Sequence, residues 1–296
     1  MQYPSPKPFL QAARSHQRDW LKSHLGLDST HQERVLLPSQ AAFAGMNFFD
    51  KSVNTTVAKR FPNAFRPNDS GEPRQIIVDA LRSEHIPFNL FAPLIPYVPG
   101  KELVSFFSSV ADIALTHIDN IDFEYADSRA HSALNDNTSF DACVLAHDGN
   151  RHVVIGIEVK NTEGPYAWGK TVRRRMADNS DSYVSLTNAS PNFLPGSFEK
   201  LRNPHLKQIW RNYLLGEQTA KSLPGEFVLL HLFPKGNIYQ AAACDDFSKH
   251  LTLPGKQVFK PTTYEDFLDQ AKALLPSGMA NWAQYIRERY VVHEGG

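Results

Sequence analysis

Two runs of alternating side chains joined by a tight turn, residues 138–164 (TSFDACVLAHDGNRHVVIGIEVKNTEG), constrain the fold of this chain most strongly. A period of two predicts β-strands, because successive side chains of a strand point to opposite faces. The segment HDGN contains Asp-Gly and Gly-Asn, which are both typical of two-residue hairpin turns. If Gly149 and Asn150 form the turn, Asp148 opposes Arg151, and the pairing of the whole hairpin follows.

Three charged residues lie at the open end of this hairpin. Counting back from the turn places Asp141 opposite Glu158, and Lys160 follows on the same face. A turn at the alternative Asp-Gly pair shifts the pairing by two residues but keeps the same face. Either turn therefore brings Asp141, Glu158 and Lys160 together.

Two carboxylates at the mouth of a sheet form an oxygen-rich site that suits Mg²⁺ or Mn²⁺. Asp141 and Glu158 are the predicted metal ligands, and the main-chain carbonyl of Val159 is a third candidate. Lys160 places a cation beside the metal, where it could position a water molecule or balance charge on a phosphoryl group. This combination is typical of phosphodiester hydrolysis. The alternative is a cross-strand ion pair between Asp141 and Lys160 at a solvated sheet edge.

The composition is that of a globular protein. Of the 296 residues, 42% are hydrophobic and 21% are charged, which is too apolar for a disordered chain. The formal net charge is zero, so no global basic field attracts nucleic acid. This argues against a histone-like binder but leaves room for an enzyme with a locally basic cleft.

The two cysteines, Cys143 and Cys244, are too few for a disulfide framework, which indicates a reducing compartment. Neither has a Cys or His neighbour at zinc-finger spacing, and this argues against structural zinc. The N-terminus lacks an apolar stretch of signal-peptide length, and no segment approaches the length of a membrane span. We therefore expect a soluble cytoplasmic protein with no membrane partner.

The pattern of the chain changes near Pro73. Residues 1–72 are rich in Pro, Gln, Ser and charge, with helical patterns over 9–24 and 39–49, which predicts a helical N-terminal extension. Residues 73–296 are predicted to form the main domain.

Helices and strands then alternate along that domain. One predicted helix covers RQIIVDALRSEHI and carries Glu84, and another follows Gly100 in KELVSFFSSVADIALTHI. A later helix is predicted from the cap Asn203 and Pro204 to an exit at Gly216. The other predicted elements are the strands IDFEYA and EFVLLHLF, a capped helix in TTYEDFLDQAKALL and a last helix in MANWAQYIRERY. This order predicts an α/β fold with a mixed central sheet flanked by helices.

The hairpin with Asp141, Glu158 and Lys160 resembles the PD-(D/E)XK nuclease superfamily, in which an Asp precedes a hairpin whose second strand ends in Glu-x-Lys. The segments FNLFAPL, FEYADSR, TSFDA and GIEVKNTEG are similar, more narrowly, to a branch of bacterial restriction-endonuclease-like proteins. The resemblance covers residues 75–290. It implies a restriction-endonuclease-like core and a metal-dependent nuclease.

The same resemblance implies two further site residues. Glu84 is the candidate for the additional acid that many members carry on a preceding helix, and Gln208 for a polar residue on a later helix. Pro87, soon after Glu84, distorts the helix on which that acid is expected. Glu124 and Glu163 are also close in sequence, and we interpret them as solvated or structural charges.

Basic residues that could contact DNA form two groups. The first follows the catalytic strand and comprises Lys170, Arg173, Arg174 and Arg175. The second lies on the later helix, beside Gln208, and comprises Lys207 and Arg211. Positive side chains beside a metal site would neutralise backbone phosphates without selecting a sequence. The alternative is that they are ordinary solvated charges.

The segment GPYAWGKT, residues 164–171, matches the phosphate-binding pattern of P-loop nucleotide hydrolases and follows a strand. Pro165, Tyr166 and Trp168 are bulky for a loop whose backbone wraps a phosphate. The residues after Thr171 form a poor apolar-faced helix, and no later strand ends in an acid that could complete the metal site. These features favour the nuclease hypothesis over the P-loop hypothesis.

The sequence therefore predicts a metal-dependent endonuclease that hydrolyses DNA phosphodiester bonds, in restriction, repair or phage defence. Cutting two strands with one site per chain would favour a homodimer. RNA remains open as a substrate. A nuclease-like fold that only binds DNA or protein is the alternative, although such a module has no need for all three of Asp141, Glu158 and Lys160.

Overall fold

The computed structural model of the chain describes residues 3–31, 33–177 and 181–292. A five-stranded mixed sheet lies at its centre, and the strands follow one another across the sheet in sequence order. They are β1 (His117–Tyr125), β2 (Phe140–Asp148), β3 (Arg151–Val159), β4 (Gly225–Phe233) and β5 (Phe259–Thr263). β1, β2 and β3 pair antiparallel, whereas β3, β4 and β5 pair parallel. The predicted mixed sheet is confirmed.

Helices flank the sheet. The N-terminal part contains α1 (Lys7–Leu25), α2 (Ser39–Phe43), α3 (Lys51–Arg60), α4 (Gln75–Val78), α5 (Ile86–Phe91) and α6 (Lys101–Ala111). The middle part contains α7 (Ser128–Leu134), α8 (Lys170–Ala177), α9 (Ser182–Ala189), α10 (Phe198–Leu201) and α11 (Lys207–Ser222). The last part contains α12 (Ile238–Ser248), α13 (Leu253–Gln257), α14 (Tyr264–Leu274) and α15 (Ala280–Tyr290). Three 3₁₀ turns cover Ser83–His85, Ala92–Tyr97 and Ser277–Met279.

The β2–β3 hairpin has the predicted turn. Gly149 and Asn150 separate the two strands, and Asp148 pairs with Arg151. Gly149 has a φ of +60°, a left-handed conformation that glycine adopts without steric cost. The register that places Asp141 level with Glu158 is therefore confirmed by the pairs that precede it along the hairpin.

Apolar side chains cover both faces of the sheet. On one face, Val144 and Ile155 share a hydrophobic cluster with residues of α6 and α14. On the other face, Cys143 and Val154 belong to a second cluster, which is built around Trp210 of α11. Because residues 153–159 of β3 are buried on both faces, this part of the strand is almost continuously apolar, and the charged Glu158 is its exception.

The N-terminal region is helical, as expected, and packs into the first cluster. Trp20 of α1 and Val53 of α3 are buried there together with Trp282 of α15. Arg289, also buried, donates from Nη1 to the carbonyl of Asn47 at 2.8 Å, and its guanidinium lies 4.5 Å from the centroid of the Trp20 ring. The first 60 residues and the last helix thus share one core.

Two helix predictions near the site are wrong. The helix predicted to carry Glu84 ends at Val78, and Glu84 lies instead in the 3₁₀ turn Ser83–His85. Pro87 does not distort a helix but occupies the first turn of α5, where its missing N–H has no helical partner to lose. A 3₁₀ turn between two short helices, rather than one continuous helix, therefore positions Glu84.

The helix α11 also differs from its prediction. It begins at Lys207, because the Asn203 side chain accepts a hydrogen bond from the His205 N–H and holds a turn before the helix. It continues past Gly216, which lies where α11 crosses β4. A Cβ atom at Gly216 would lie 2.4 Å from the ring of Phe227, so this glycine permits close helix–strand packing rather than a helix end.

The strand β5 is short and partly polar, and it was not predicted. The capping interaction that follows it is confirmed, since Thr263 accepts from the Asp266 N–H at 3.1 Å. Within the described ranges, none of the helices combines the length and the apolar character needed to cross a bilayer.

Candidate active site

Acidic side chains from three neighbouring strands lie in a row at one end of the sheet. The register brings Glu124 of β1, Asp141 of β2 and Glu158 of β3 level with one another, and it pairs Glu158 with His231 of β4. Lys160 follows directly after β3. The structure thus brings the three core predicted residues together and adds Glu124 to them.

Glu158 has partners on both carboxylate oxygens. Oε1 forms an ion pair with the Lys160 ammonium, and Oε2 accepts a hydrogen bond from the Asn212 side-chain amide on α11. Glu158 is 1% exposed and Lys160 is 6% exposed, so the pair lies in the protein interior. This contrasts with the alternative of an Asp141–Lys160 pair at a solvated edge.

Asp141 is partly buried, and its Oδ2 accepts a hydrogen bond from the Val159 N–H at 2.7 Å. Burial and the neighbouring charge of Glu158 raise the pKa of Asp141 well above its usual range, although Lys160 and the Val159 N–H act in the opposite direction. Carboxylates that repel each other in a partly buried site are typical of positions that bind a cation.

Main-chain hydrogen bonds and an ion pair hold Lys160 in place. Its N–H donates to the Leu232 carbonyl at 2.8 Å, and its carbonyl accepts from the Tyr264 hydroxyl at 2.8 Å. Burial alone would lower the pKa of Lys160, but the carboxylates of Glu158 and Asp141 outweigh it and raise this pKa. Lys160 is therefore an ammonium at neutral pH.

His231 lies behind Glu158 and is fully buried. Burial, together with the charge of Lys160, lowers the pKa of His231 to about 3, so its imidazole is neutral at neutral pH. Its Nε2 lies 3.2 Å from Oε1 of Gln240. His231 thus borders the site without adding charge to it.

Glu124 has an unusual backbone conformation, with a φ of +48°. Such a conformation costs a residue with a side chain on the order of 1–2 kcal/mol, so packing must impose it here. The Ser139 hydroxyl donates to Oε2 of Glu124 at 2.8 Å, and Arg60 donates to its carbonyl at 2.8 Å. Burial raises the pKa of Glu124, and the charge of Glu158 raises it further.

The two other acids near the site have different surroundings. Glu84 forms an ion pair with Arg82, and both side chains are partly exposed. Glu163 accepts from the Ser83 N–H at 2.9 Å and from the Asn161 N–H at 2.7 Å, so it joins two loop segments. This agrees with the structural interpretation of Glu163.

Asn212 was missed in the sequence. It stands one helical turn after Gln208 on α11, and it also accepts from the Thr138 hydroxyl at 3.2 Å. The four-residue spacing from Gln208 placed it on the same helix face, and this was the available indication. The side-chain contact recorded for Gln208 is to Arg211, at 3.4 Å, and not to the acids.

A family model of the PD-(D/E)XK nuclease superfamily matches residues 4–292. The chain belongs to the PD-(D/E)XK nuclease superfamily. The match includes the N-terminal helices, which the resemblance noted in the sequence had left outside. Neither a curated protein nor a solved structure matches the chain. Together with the five-stranded sheet and its flanking helices, membership confirms the predicted restriction-endonuclease-like α/β fold.

The predicted DNA-contacting residues of this PD-(D/E)XK chain fall into two kinds. On α8, Lys170, Arg173 and Arg174 are exposed. The side chain of Arg175 lies outside the described part of the structure. On α11, Arg211 is already engaged by Asp136, with Nη2 2.6 Å from Oδ1 and Nε 3.0 Å from Oδ2.

Lys207 lies closer to the loop that carries the P-loop-like sequence. Its ammonium donates to the Ala167 carbonyl at 3.1 Å and lies 4.8 Å from the centroid of the Trp168 ring. Trp168 is itself buried in the second cluster, and its indole N–H donates to the Arg202 carbonyl at 2.7 Å. A core tryptophan therefore anchors this loop, which argues against a loop built to wrap phosphate.

Proposed function

We propose that this PD-(D/E)XK protein is a divalent-metal-dependent nuclease that hydrolyses phosphodiester bonds in DNA. The observation that carries the proposal is the convergence of Asp141, Glu158 and Lys160 at the end of β3, in a chain of this superfamily. Their chemistry supports metal-assisted attack of water on phosphate.

The donor set fits Mg²⁺ or Mn²⁺. Asp141 and Glu158 offer carboxylate oxygens, and the raised pKa of Asp141 reflects burial and a repulsion from Glu158 that a divalent cation would relieve. The N–H of Val159 donates to Asp141, and in a strand the carbonyl of a residue faces the same side as its N–H. The Val159 carbonyl is therefore the third proposed ligand, and Glu124 is a fourth.

The roles of the protein residues follow from their charges. The chemistry that a bound divalent ion supplies is polarisation of a phosphate oxygen and stabilisation of the charge that develops there. Because Lys160 is protonated, it would hold the attacking water or a phosphate oxygen as a hydrogen-bond donor, and it would not act as a base in that state. Asn212 would orient Glu158.

The surroundings of the acids offer space for a polynucleotide backbone. A cavity of about 560 Å³ lies beside Glu124, and its lining includes Arg60, Asn63, Arg74 and Glu84. A second cavity of about 560 Å³ also borders Glu84, and its lining includes Arg82, Thr162 and Tyr166. We propose that the substrate passes along these cavities, with Arg60 and Arg74 on its phosphates and the exposed arginines of α8 at a more distant point.

The test is a cleavage assay with the purified chain on supercoiled plasmid and on single-stranded DNA, in Mg²⁺, Mn²⁺ or EDTA. We expect metal-dependent nicking or linearisation that is lost in Asp141→Asn, Glu158→Gln and Lys160→Met. Lys272→Met, an exposed lysine on α14, is the matched control and should cleave normally. DNA binding with no cleavage under any metal would support the non-catalytic module instead, and full activity in two of the three variants would contradict the proposed site.

A further inference from the structure

A second group of metal-ligating side chains lies at the opposite end of the hairpin from the proposed active site. It consists of His117 and Asp119 of β1, His147 of β2 and His152 of β3. We propose that these residues form a binding site for a transition-metal cation, with Zn²⁺ as the fitting ion. The site would join three strands next to the Gly149-Asn150 turn.

The sheet register assembles this group. His147 pairs with His117 on one side and with His152 on the other, so three imidazoles stand side by side across three strands. The β1–β2 pairing is irregular between Ile118 and Asn120. This irregularity is a bulge at Asp119, and a bulge changes the direction of the side chain it contains.

The distances suit a single ion. Ligand atoms of Asp119, His147 and His152 all lie within 4.8 Å of one another, and Nε2 of His147 is 2.8 Å from Oδ2 of Asp119. The Nε2 atom of His117 is 3.5 Å from Oδ1 of Asp119. Zinc bonds of about 2.0–2.2 Å place neighbouring ligand atoms roughly 3–3.5 Å apart, so small rotations of the side chains would close the site.

The side chains are accessible to an incoming ion. Asp119 and His152 are exposed and His147 is partly exposed. The His147 and His152 rings lie with their centroids 4.5 Å apart and tilted by 47°, which allows a nitrogen from each ring to reach one point.

The donors separate this site from the proposed active site. Imidazole nitrogens with one carboxylate suit Zn²⁺ and related transition metals, whereas the oxygen donors around Asp141 suit Mg²⁺ or Mn²⁺. His147 lies six positions after Asp141 on β2, which is about 20 Å along a strand. The cysteine spacing in the sequence argued against structural zinc, but the present site uses no cysteine.

A bound ion would cross-link the strands at the turn end of the hairpin. It would link β1, β2 and β3, and because the unfolded chain cannot present the same donors together, binding would stabilise the folded state. With three or four protein ligands and open solvent on one side, the site would bind the ion for a structural purpose rather than for catalysis.

The experiment is a Zn²⁺ titration of the full, metal-free chain in competition with a chromophoric chelator, followed by thermal unfolding with and without Zn²⁺. We expect one equivalent bound and a higher Tm in the wild type. Both should persist in Asp141→Asn, which alters only the proposed active site. His147→Gln and Asp119→Asn should each weaken Zn²⁺ binding by at least about 10-fold and remove the Tm gain.

His24→Gln is the matched control, because His24 is an exposed histidine that also faces a carboxylate, Glu288. It should bind Zn²⁺ like the wild type. The Tm of each metal-free variant shows whether the variant is folded. Absence of stoichiometric binding in the wild type would overturn the proposal. So would binding that survives His147→Gln but disappears in Asp141→Asn. Neither result depends on whether the chain cleaves DNA.

Discussion

The Glu158–Lys160 ion pair links the proposed site to the stability of the folded protein. Both are buried, and the carboxylate of Glu158 has only Lys160 as a full counter-charge among its recorded contacts. Removing one partner of a buried ion pair leaves the other charge without compensation, whereas removing both is far less costly. The stability of the protein should therefore respond differently to single and double substitution.

We expect Lys160→Met to destabilise the metal-free protein by about 3–5 kcal/mol, because Glu158 remains buried and unpaired. The double variant Lys160→Met/Glu158→Gln should regain most of that loss. Urea unfolding at neutral pH in EDTA measures both, with Lys272→Met as control. A single variant within about 0.5 kcal/mol of the wild type would mean that the Glu158–Lys160 pair adds no net stability to the metal-free protein.

A second residue-scale prediction ranks the additional acids. Glu124 adjoins Asp141 in the register, while Glu84 is partly exposed and paired with Arg82. We expect Glu124→Gln to reduce the rate of metal-dependent cleavage by roughly 10- to 100-fold and Glu84→Gln to reduce it much less. Cleavage rates at several Mg²⁺ concentrations decide the ranking, and a larger loss with Glu84→Gln would restore the acid that the family resemblance indicated.

Among the elements, the helix α11 does most to complete the site, because it presents Asn212 to Glu158 and packs tightly on β4. Its far half contains a second buried acid. The Glu217 carboxylate accepts from the Asn192 amide at 2.6 Å and from the Ser190 hydroxyl. Burial raises the pKa of Glu217, although these two hydrogen bonds act in the opposite direction.

The raised pKa of Glu217 makes the stability of the protein depend on pH, and the direction of this dependence follows from the shift. The folded-state pKa of Glu217 lies above its unfolded value of about 4.3, so the stability it contributes is present below that pH and is lost as the pH rises through the folded value. Glu217→Gln stays neutral. We expect this variant to become progressively more stable than the wild type between pH 4 and 8 in urea unfolding. Glu72→Gln, at an exposed position, should show no such trend, and a constant difference for Glu217→Gln would refute the shift.

The elements also show how far the sequence could predict this molecule. Alternation and turn chemistry are local, so the hairpin, its turn and the convergence of Asp141, Glu158 and Lys160 could be predicted. The start of α11 depends on a side-chain turn at Asn203, and its passage over β4 depends on a tertiary contact of Gly216. Such contacts override local helix rules, which is why Asn212 could not be assigned to Glu158 in advance.

At the scale of the whole molecule, the N-terminal helices pack their buried faces into the first hydrophobic cluster of the fold. Trp20 and Val53 are buried in the same cluster as α15, and the buried Arg289 contacts both Asn47 and the Trp20 ring. The family match over residues 4–292 likewise includes these N-terminal helices. The stability of a chain that lacks residues 1–72 therefore tests whether these residues form a separable extension.

We expect a chain that begins at Pro73 to fail to fold cooperatively, because it would expose the apolar surface that α1 and α3 cover and would remove the Asn47 and Trp20 partners of Arg289. Circular dichroism and size-exclusion chromatography on the truncated and full chains provide the measurement. A truncated chain with a sharp thermal transition near that of the full chain would show that residues 1–72 are a separable extension.

The ion pair at Glu158 has one further consequence, which concerns the free concentration of metal ion that the site needs. An ammonium and a divalent cation would compete for the same carboxylate, so the apparent dissociation constant for metal equals the intrinsic one multiplied by a factor that reflects the strength of the internal pair. Half-occupancy of the proposed metal site would then need a higher free concentration of the divalent ion than the same site would need without the internal pair.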